Sequence, residues 1–159
     1  MNKSSKIIIT VFSWLAVFAT MAVIARFSLQ NSGDSSSTSE ALLKLIPFYD
    51  RLSPEALDVI HLIIRKMAHF TIYALLGFTS YNAFNVSIKL KRGFVYLISV
   101  GFASTYAIID EFVFQALSPG RAPMLLDVVI DTLGASLGAL LMFLIILIIR
   151  LIKNKETSL

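Results

Sequence analysis

Four long apolar segments limit the folds open to this chain more than any other feature of its sequence. The hydrocarbon core of a bilayer is about 30 Å thick, and a helix of about 20 mostly apolar residues crosses it. Because 57% of the 159 residues are hydrophobic, more than in an ordinary soluble domain, the segments indicate a membrane protein. We expect an all-α fold with four transmembrane helices in a single domain, 1–159, with spans at about 7–25, 61–84, 94–117 and 124–149.

A long loop, residues 26–60, joins the first two spans. It contains the flexible polar run NSGDSSSTS, followed by SEALLKLIPF, in which Ser39 can cap a short amphipathic helix that ends at Pro47. We expect this helix to lie on the membrane surface. Ser53 followed by Pro54 is a typical helix start, so the second helix is expected to begin before its apolar run.

Basic residues at the ends of the spans predict how the chain crosses the membrane. With four spans, eight of the 14 basic residues lie on one side with a single acid, Glu156; they are Lys3, Lys6, Lys89, Lys91, Arg92, Arg150, Lys153 and Lys155. Lys and Arg are enriched in cytoplasmic loops, so we expect a cell-membrane protein with both termini in the cytoplasm. Because the positive charge is confined to the span ends, we expect no nucleic-acid partner.

Ionisable side chains also lie inside the second, third and fourth spans, all in the outward half of the bilayer. Residues three or four apart are neighbours on a helix, so the spacing of these side chains defines three faces. The faces are Lys66, His69 and Tyr73 on the second helix, Glu111 and Gln115 on the third, and Asp127 and Asp131 on the fourth. Gly134 and Gly138 continue the last face, and a Gly-x-x-x-Gly spacing allows a neighbouring helix to approach closely. We therefore expect the faces to meet.

The charges on these faces predict a shared polar pocket. A charged side chain in hydrocarbon costs at least about 2.5–3.5 kcal/mol. The permanent cations are Arg65, Lys66 and Arg121, and the carboxylates are Asp110, Glu111, Asp127 and Asp131. One pocket that opens to the outside would let these charges neutralise one another. Two residues have an alternative role, since Arg65 is expected to reach the interface and Asp110 is equally compatible with a helix-end position.

The ordered set of motifs resembles the VanZ-like family of bacterial membrane proteins. The resemblance covers roughly residues 20–140 and rests on four blocks, ARFSLQNSGDSS, KMAHFTIYALLGF, Q-x5-R and D-x3-D-x2-G-x3-G. The matching residues are Ser28, Gln30, Lys66, His69, Tyr73, Gly77, Gln115, Arg121, Asp127, Asp131, Gly134 and Gly138. No single block is specific, but the set in this order is.

The chain departs from the family pattern near the acids of its third span. The family often has an acid three residues before the glutamine, commonly with histidine just before it. Here Glu111 precedes Gln115 by four residues, and Phe114 occupies the histidine position. Either the helix bulges locally or Glu111 is not the equivalent acid. Asp131 stands where some members carry asparagine, which adds a charge to the pocket.

The resemblance implies a role in the cell envelope that is linked to reduced sensitivity to the glycopeptide antibiotic teicoplanin, typically in Gram-positive bacteria. Our first functional hypothesis is a protein that binds an anionic headgroup, in which Lys66, Tyr73, Gln115 and Arg121 hold the ligand. Its partners would be membrane lipids, a lipid-linked cell-wall precursor or the lipidated end of the antibiotic, a lipoglycopeptide.

The second hypothesis is a membrane-embedded enzyme that acts on a lipid or cell-wall intermediate. His69 would be its acid/base, because histidine titrates near neutral pH. Glu111, Asp127 or Asp131 would orient it or hold a hard divalent cation such as Mg²⁺, and no other cofactor or metal site is predicted. A transporter ranks last, because the inward half of the spans lacks polar groups. Homo-oligomer formation stays open.

Overall fold

The computed structural model describes residues 2–29, 52–118 and 122–156, and these residues form helices and no strand. The long helices are α1 (Lys3–Ser28), α2 (Pro54–Ser87), α3 (Arg92–Ile109) and α4 (Leu125–Glu156). The chain of α3 continues through a π-helical turn, Asp110–Phe114, and a 3₁₀ turn, Gln115–Leu117. All four segments are long and apolar enough to cross a membrane. The predicted all-α fold with four transmembrane helices is confirmed.

The second helix begins where the Ser-Pro pair predicts. Ser53 is the N-cap residue, and its hydroxyl accepts a hydrogen bond from the backbone N–H of Ala56 at 3.3 Å. Pro54 is the first helical residue, a position at which proline loses no helical hydrogen bond. The predicted amphipathic helix after Ser39 lies outside the residues that the structure describes, as does Arg121.

The bundle is apolar outside, and its interior combines apolar side chains with small and polar ones. Large exposed side chains occur on every helix, among them Phe12, Met67, Leu97 and Leu133. The buried alanines are Ala83, Ala103, Ala107, Ala135 and Ala139. Lipid tails can solvate the apolar surface, so this distribution suits a helix bundle in a bilayer.

Three glycines bring α2 and α4 into backbone contact. A methyl group at Gly138 would overlap the carbonyl oxygen of Ala74, and one at Gly134 would overlap that of Phe70. On the facing helix, a methyl group at Gly77 would meet the carbonyl oxygen of Ala135. The predicted close approach at the Gly-x-x-x-Gly motif is confirmed. The two helices run in the same direction through this contact, since residue numbers rise together along both.

Hydrogen bonds donated by side chains show the direction of α1 against its neighbours. Asn82 Nδ2 donates to Ser13 Oγ at 2.9 Å, so the end of α2 lies beside the start of α1. Tyr106 on α3 donates from its hydroxyl to the carbonyl oxygen of Met21 at 2.7 Å. Ser118 donates in the same way to the carbonyl oxygen of Ser28 at 2.8 Å. The ends of α1 and of the third span therefore lie at the same end of the bundle, near the start of α2.

Candidate functional site in the helix bundle

Polar side chains from three helices gather at this end of the bundle. We call them the polar cluster; its members are Arg65, Lys66, His69, Tyr73, Asp110, Glu111, Gln115, Asp127 and Asp131. Among them, Asp110, Glu111, Gln115 and Asp131 are 0% exposed. Every candidate site residue named from the sequence lies in this cluster except Arg121, which is outside the described residues. Buried ionisable groups in a membrane are costly and mark functional sites by default.

An ion pair links α2 to α4 on the more open side of the cluster. Lys66 Nζ lies 2.5 Å from Asp127 Oδ1, with the lysine side chain 23% exposed and the aspartate side chain 7%. Asp127 also lies in the first turn of α4, where the helix dipole favours a negative charge. The lysine and the helix end together neutralise Asp127.

One turn deeper, a histidine faces a buried aspartate. His69 Nδ1 lies 3.3 Å from Asp131 Oδ1; the histidine side chain is 16% exposed, while the aspartate side chain is 0% exposed. Tyr73 follows on the same face of α2, and its buried hydroxyl interacts with Asp110 and Asp131. The His69 ring therefore stands between the open side of the cluster and its buried acids.

The π-helical turn decides how the third span presents its acids. A π turn places an extra residue in the helix, and such turns are frequent at functional sites. The backbone N–H of Gln115 bonds to the carbonyl oxygen of Asp110, five residues before it. Both Asp110 and Glu111 consequently face the bundle interior. Of the two alternatives for the departure from the family pattern, the structure has the local bulge.

Glu111 is held by partners that belong to the protein itself. Its Oε1 accepts a hydrogen bond from the backbone N–H of Met124 at 2.7 Å, just before α4 begins. Its Oε2 accepts a short hydrogen bond from Gln115 Nε2. A carboxylate at a helix N-terminus satisfies backbone donors and interacts favourably with the dipole. Glu111 thus ties the third span to the start of α4.

Asp110 also belongs to the polar cluster. From the sequence, it was equally compatible with a role in the pocket and with a helix-end position. Its side chain is fully buried in the bundle, beside Tyr73 and Asp131. Neither of its carboxylate oxygens, nor either oxygen of Asp131, makes a hydrogen bond of good geometry. The sequence could not separate Asp110 from Glu111, because only the extra residue of the π turn directs both inward.

Arg65 also lies in the cluster, through a contact with Gln115 that the sequence did not predict. Its Nη2 donates to Gln115 Oε1 at 3.2 Å, and its Nε is buried without a hydrogen-bond partner. Arg65 precedes Lys66 and so points about 100° away from it around α2. Helical spacing therefore excluded Arg65 from the Lys66 face, and no other signal in the sequence placed Gln115 beside it.

Comparison with known families agrees with this architecture. A family model described as VanZ/LLP1 matches residues 12–148. The chain belongs to the VanZ/LLP1 family. The VanZ/LLP1 match runs from α1 into α4 and includes the whole polar cluster, so the resemblance seen in the motifs is confirmed. Four span-length helices and the family together identify a multi-pass membrane protein. Neither a curated protein nor a solved structure matches the chain.

Proposed function

We propose that this VanZ/LLP1 protein binds an anionic lipid headgroup in a pocket that opens to the outside of the cell. Lipid-linked cell-wall precursors and anionic phospholipids share this chemistry. The observation that carries the proposal is the environment of Arg65, whose guanidinium donates a hydrogen bond to the neutral amide of Gln115. Its positive charge has no carboxylate partner among the described residues, whereas Lys66 is paired with Asp127.

The geometry of arginine supports a phosphate or carboxylate as the ligand. A guanidinium presents donors in a planar fork that fits such anions bidentately. The Nε of Arg65 is buried without a hydrogen-bond partner, so the guanidinium has an N–H that is free to bind a ligand. Lys66 lies next to it along α2 and is partly exposed, so a headgroup between the two would meet both cations.

The positive-inside rule supports an outward-facing pocket. The basic residues at the start of α1, at the end of α4 and between α2 and α3 belong to the opposite end of the bundle from the polar cluster. For example, the positive charges of Arg92 and Arg150 both lie close enough to Tyr81, near the end of α2, to interact with it electrostatically. If that end lies in the cytoplasm, both termini are cytoplasmic and the polar cluster lies in the outer leaflet.

Lipid binding can be measured by native mass spectrometry of the chain purified in detergent. We expect a lipid-linked cell-wall precursor and phosphatidylglycerol to bind more tightly than zwitterionic phosphatidylcholine. Arg65→Gln should weaken anionic binding about tenfold or more, because a hydrogen bond to a charged group contributes about 1.5–3 kcal/mol. Lys89→Gln is the matched control, since it removes one exposed positive charge at the other end of the bundle.

The outcomes separate a specific headgroup site from general lipid contact. Equal binding of all three lipids, or equal losses in Arg65→Gln and Lys89→Gln, would contradict the proposal. Preference for the precursor over phosphatidylglycerol would assign the ligand to cell-wall synthesis. In that case cells that carry Arg65→Gln should also lose tolerance to teicoplanin, while the abundance of the protein in the membrane is unchanged.

A second candidate function, catalysis on a lipid or cell-wall intermediate, is favoured by the His69–Asp131 pair. A buried carboxylate behind a partly exposed imidazole orients the ring and stabilises its protonated form, as in general acid/base catalysis. The same lipid incubations test it, because turnover would add a product mass that His69→Gln lacks while binding persists. If no product forms with any of the lipids, the binding function alone stands.

A further inference from the structure

We propose that His69, Asp110 and Asp131 form a binding site for a divalent transition-metal ion. One ligand atom from each residue lies within 4.8 Å of the other two. The three residues come from α2, the π-helical turn and α4, so the tertiary structure alone assembles them. Metal–ligand bonds in proteins are about 2.0–2.6 Å long, so two ligands of one ion lie at most about 4–5 Å apart. The observed spacing meets this limit.

The poorly satisfied carboxylate oxygens of Asp110 and Asp131 are a second and independent sign of a cation. None of the four buried carboxylate oxygens of Asp110 and Asp131 makes a hydrogen bond of good geometry. Their neighbours are His69 Nδ1, 3.3 Å from Asp131 Oδ1, and the hydroxyls of Ser28 and Tyr73 beside Asp110. Buried polar groups in native proteins nearly always have a partner, and an unpaired buried carboxylate is especially costly. Two such carboxylates at this distance repel each other unless a cation or a proton lies between them.

Among the described cations of the cluster, only His69, whose Nδ1 lies 3.3 Å from Asp131 Oδ1, is close enough to compensate this charge, and it is a cation only when protonated. Lys66 forms an ion pair with Asp127, and Arg65 donates a hydrogen bond to Gln115. Glu111 is occupied by Gln115 and the N–H of Met124, so it does not compete for an ion. A divalent ion would match the two negative charges of Asp110 and Asp131 while His69 binds as the neutral imidazole.

The ligand set favours Zn²⁺ or Mn²⁺ over Mg²⁺ or Ca²⁺. Magnesium and calcium are bound almost wholly by oxygen, whereas imidazole nitrogen suits transition metals. Three protein ligands leave coordination positions open, as in metal sites that bind a further molecule. The structure therefore assigns the metal to Asp110 with His69 and Asp131. The sequence allowed a cation only at Glu111, Asp127 or Asp131.

Metal binding can be tested without any lipid ligand, so the result is independent of the headgroup proposal. The chain is purified in detergent, stripped with a chelator, equilibrated with Zn²⁺ or Mn²⁺ alone and passed through a desalting column. Metal is then counted per chain by mass spectrometry. We expect about one ion per wild-type chain, which a site with two carboxylates and one imidazole would hold.

Variants locate the ion within the polar cluster. Asp110→Asn and Asp131→Asn should each lower metal affinity by at least about tenfold, the smallest loss that follows removal of even an outer-shell partner. Asp58→Asn is the control, because it removes an exposed carboxylate of α2 that lies outside the polar cluster and should keep the metal. Helical content by circular dichroism shows that each variant is folded.

Two results would overturn the metal site. One is a wild-type chain that keeps neither Zn²⁺ nor Mn²⁺ after desalting, which would mean that a proton joins the two aspartates. That measurement stands even if the aspartate variants fail to fold. The other is equal metal loss in Asp58→Asn and Asp131→Asn, which would mean that the ion is not held at Asp110, His69 and Asp131.

Discussion

The two halves of the α2–α4 interface are built in opposite ways. Toward the end that carries the basic residues, glycines let the two backbones touch, and Tyr81 packs edge-to-face on Phe143 with ring centroids 6.0 Å apart. Toward the other end, Lys66 meets Asp127 and His69 meets Asp131. One half joins the helices by close contact, and the other joins them by charge.

This difference separates what stabilises the bundle from what it can do. Lipid tails are as apolar as leucine, so helices in a bilayer associate through close packing and hydrogen bonds rather than through the hydrophobic effect. The glycine half supplies that packing. Replacing a buried ion pair by apolar groups is often neutral or stabilising, so we expect the charged half to contribute little to stability. Its charges are instead the basis of the proposed binding or chemistry.

The largest effect is expected from breaking the packed half. Gly138→Ala places a methyl group on the carbonyl oxygen of Ala74, which is backbone and cannot move aside cheaply. We expect the free energy of unfolding to fall by about 3 kcal/mol, the upper end for overpacking. Thermal unfolding in detergent, followed by circular dichroism, measures it.

Gly101, on α3, provides the control for the Gly138→Ala experiment. A methyl group at Gly101 meets no atom within 4 Å, so Gly101→Ala should be neutral or slightly stabilising. If both alanine variants change the unfolding temperature equally, the effect is one of helix propensity, and close packing does not distinguish the two halves.

An intermediate effect is expected in the charged half. Asp127→Asn and Lys66→Met each leave one partner of the 2.5 Å ion pair without its counter-charge. Each should lower the free energy of unfolding by about 2 kcal/mol, typical for a hydrogen bond to a charged group. The double variant leaves no unpaired charge and should lose much less than the sum.

The double-variant cycle sharpens the comparison between the halves. A large coupling energy with a nearly wild-type double variant would show that the charges are dispensable for folding. Additive losses would instead mean that each residue stabilises the bundle on its own, and the division between packing and function would fail.

The smallest effect is expected at a neutral hydrogen bond in the packed half. The Tyr96 hydroxyl lies 2.6 Å from Ser136 Oγ, linking α3 to α4. Tyr96→Phe should cost about 0.6 kcal/mol, the average for hydrogen bonds between membrane helices. Ser136→Ala should cost the same, since it removes the other partner. If either variant lowered the free energy of unfolding more than Gly138→Ala does, backbone packing would not be the main source of stability.

The helices and their main contact follow from local features of the sequence. Bilayer thickness sets the span length, so the long apolar runs predict four helices before any contact is known. The Ser53–Pro54 pair predicts the start of α2, because its capping is decided within one turn. The spacing of Gly134 and Gly138 predicts close approach, since glycine alone lets backbones touch there.

The membership of the polar cluster was decided only in the tertiary structure. Helical spacing placed Lys66, His69 and the two aspartates of α4 on facing surfaces, but it assumes a regular helix. The π turn breaks that assumption and buries Asp110 beside Glu111. Arg65 belongs to the polar cluster for a different reason. The third span approaches α2 on the side where Arg65 lies and places Gln115 beside it.

The sequence alone therefore determined the number of spans and the faces of α2 and α4 that carry charge, because each depends on neighbours within a turn or two. The tertiary structure decided which charges are paired and which remain unpartnered. That outcome depends on side-chain distances across three helices, and a single extra residue in one turn changes them.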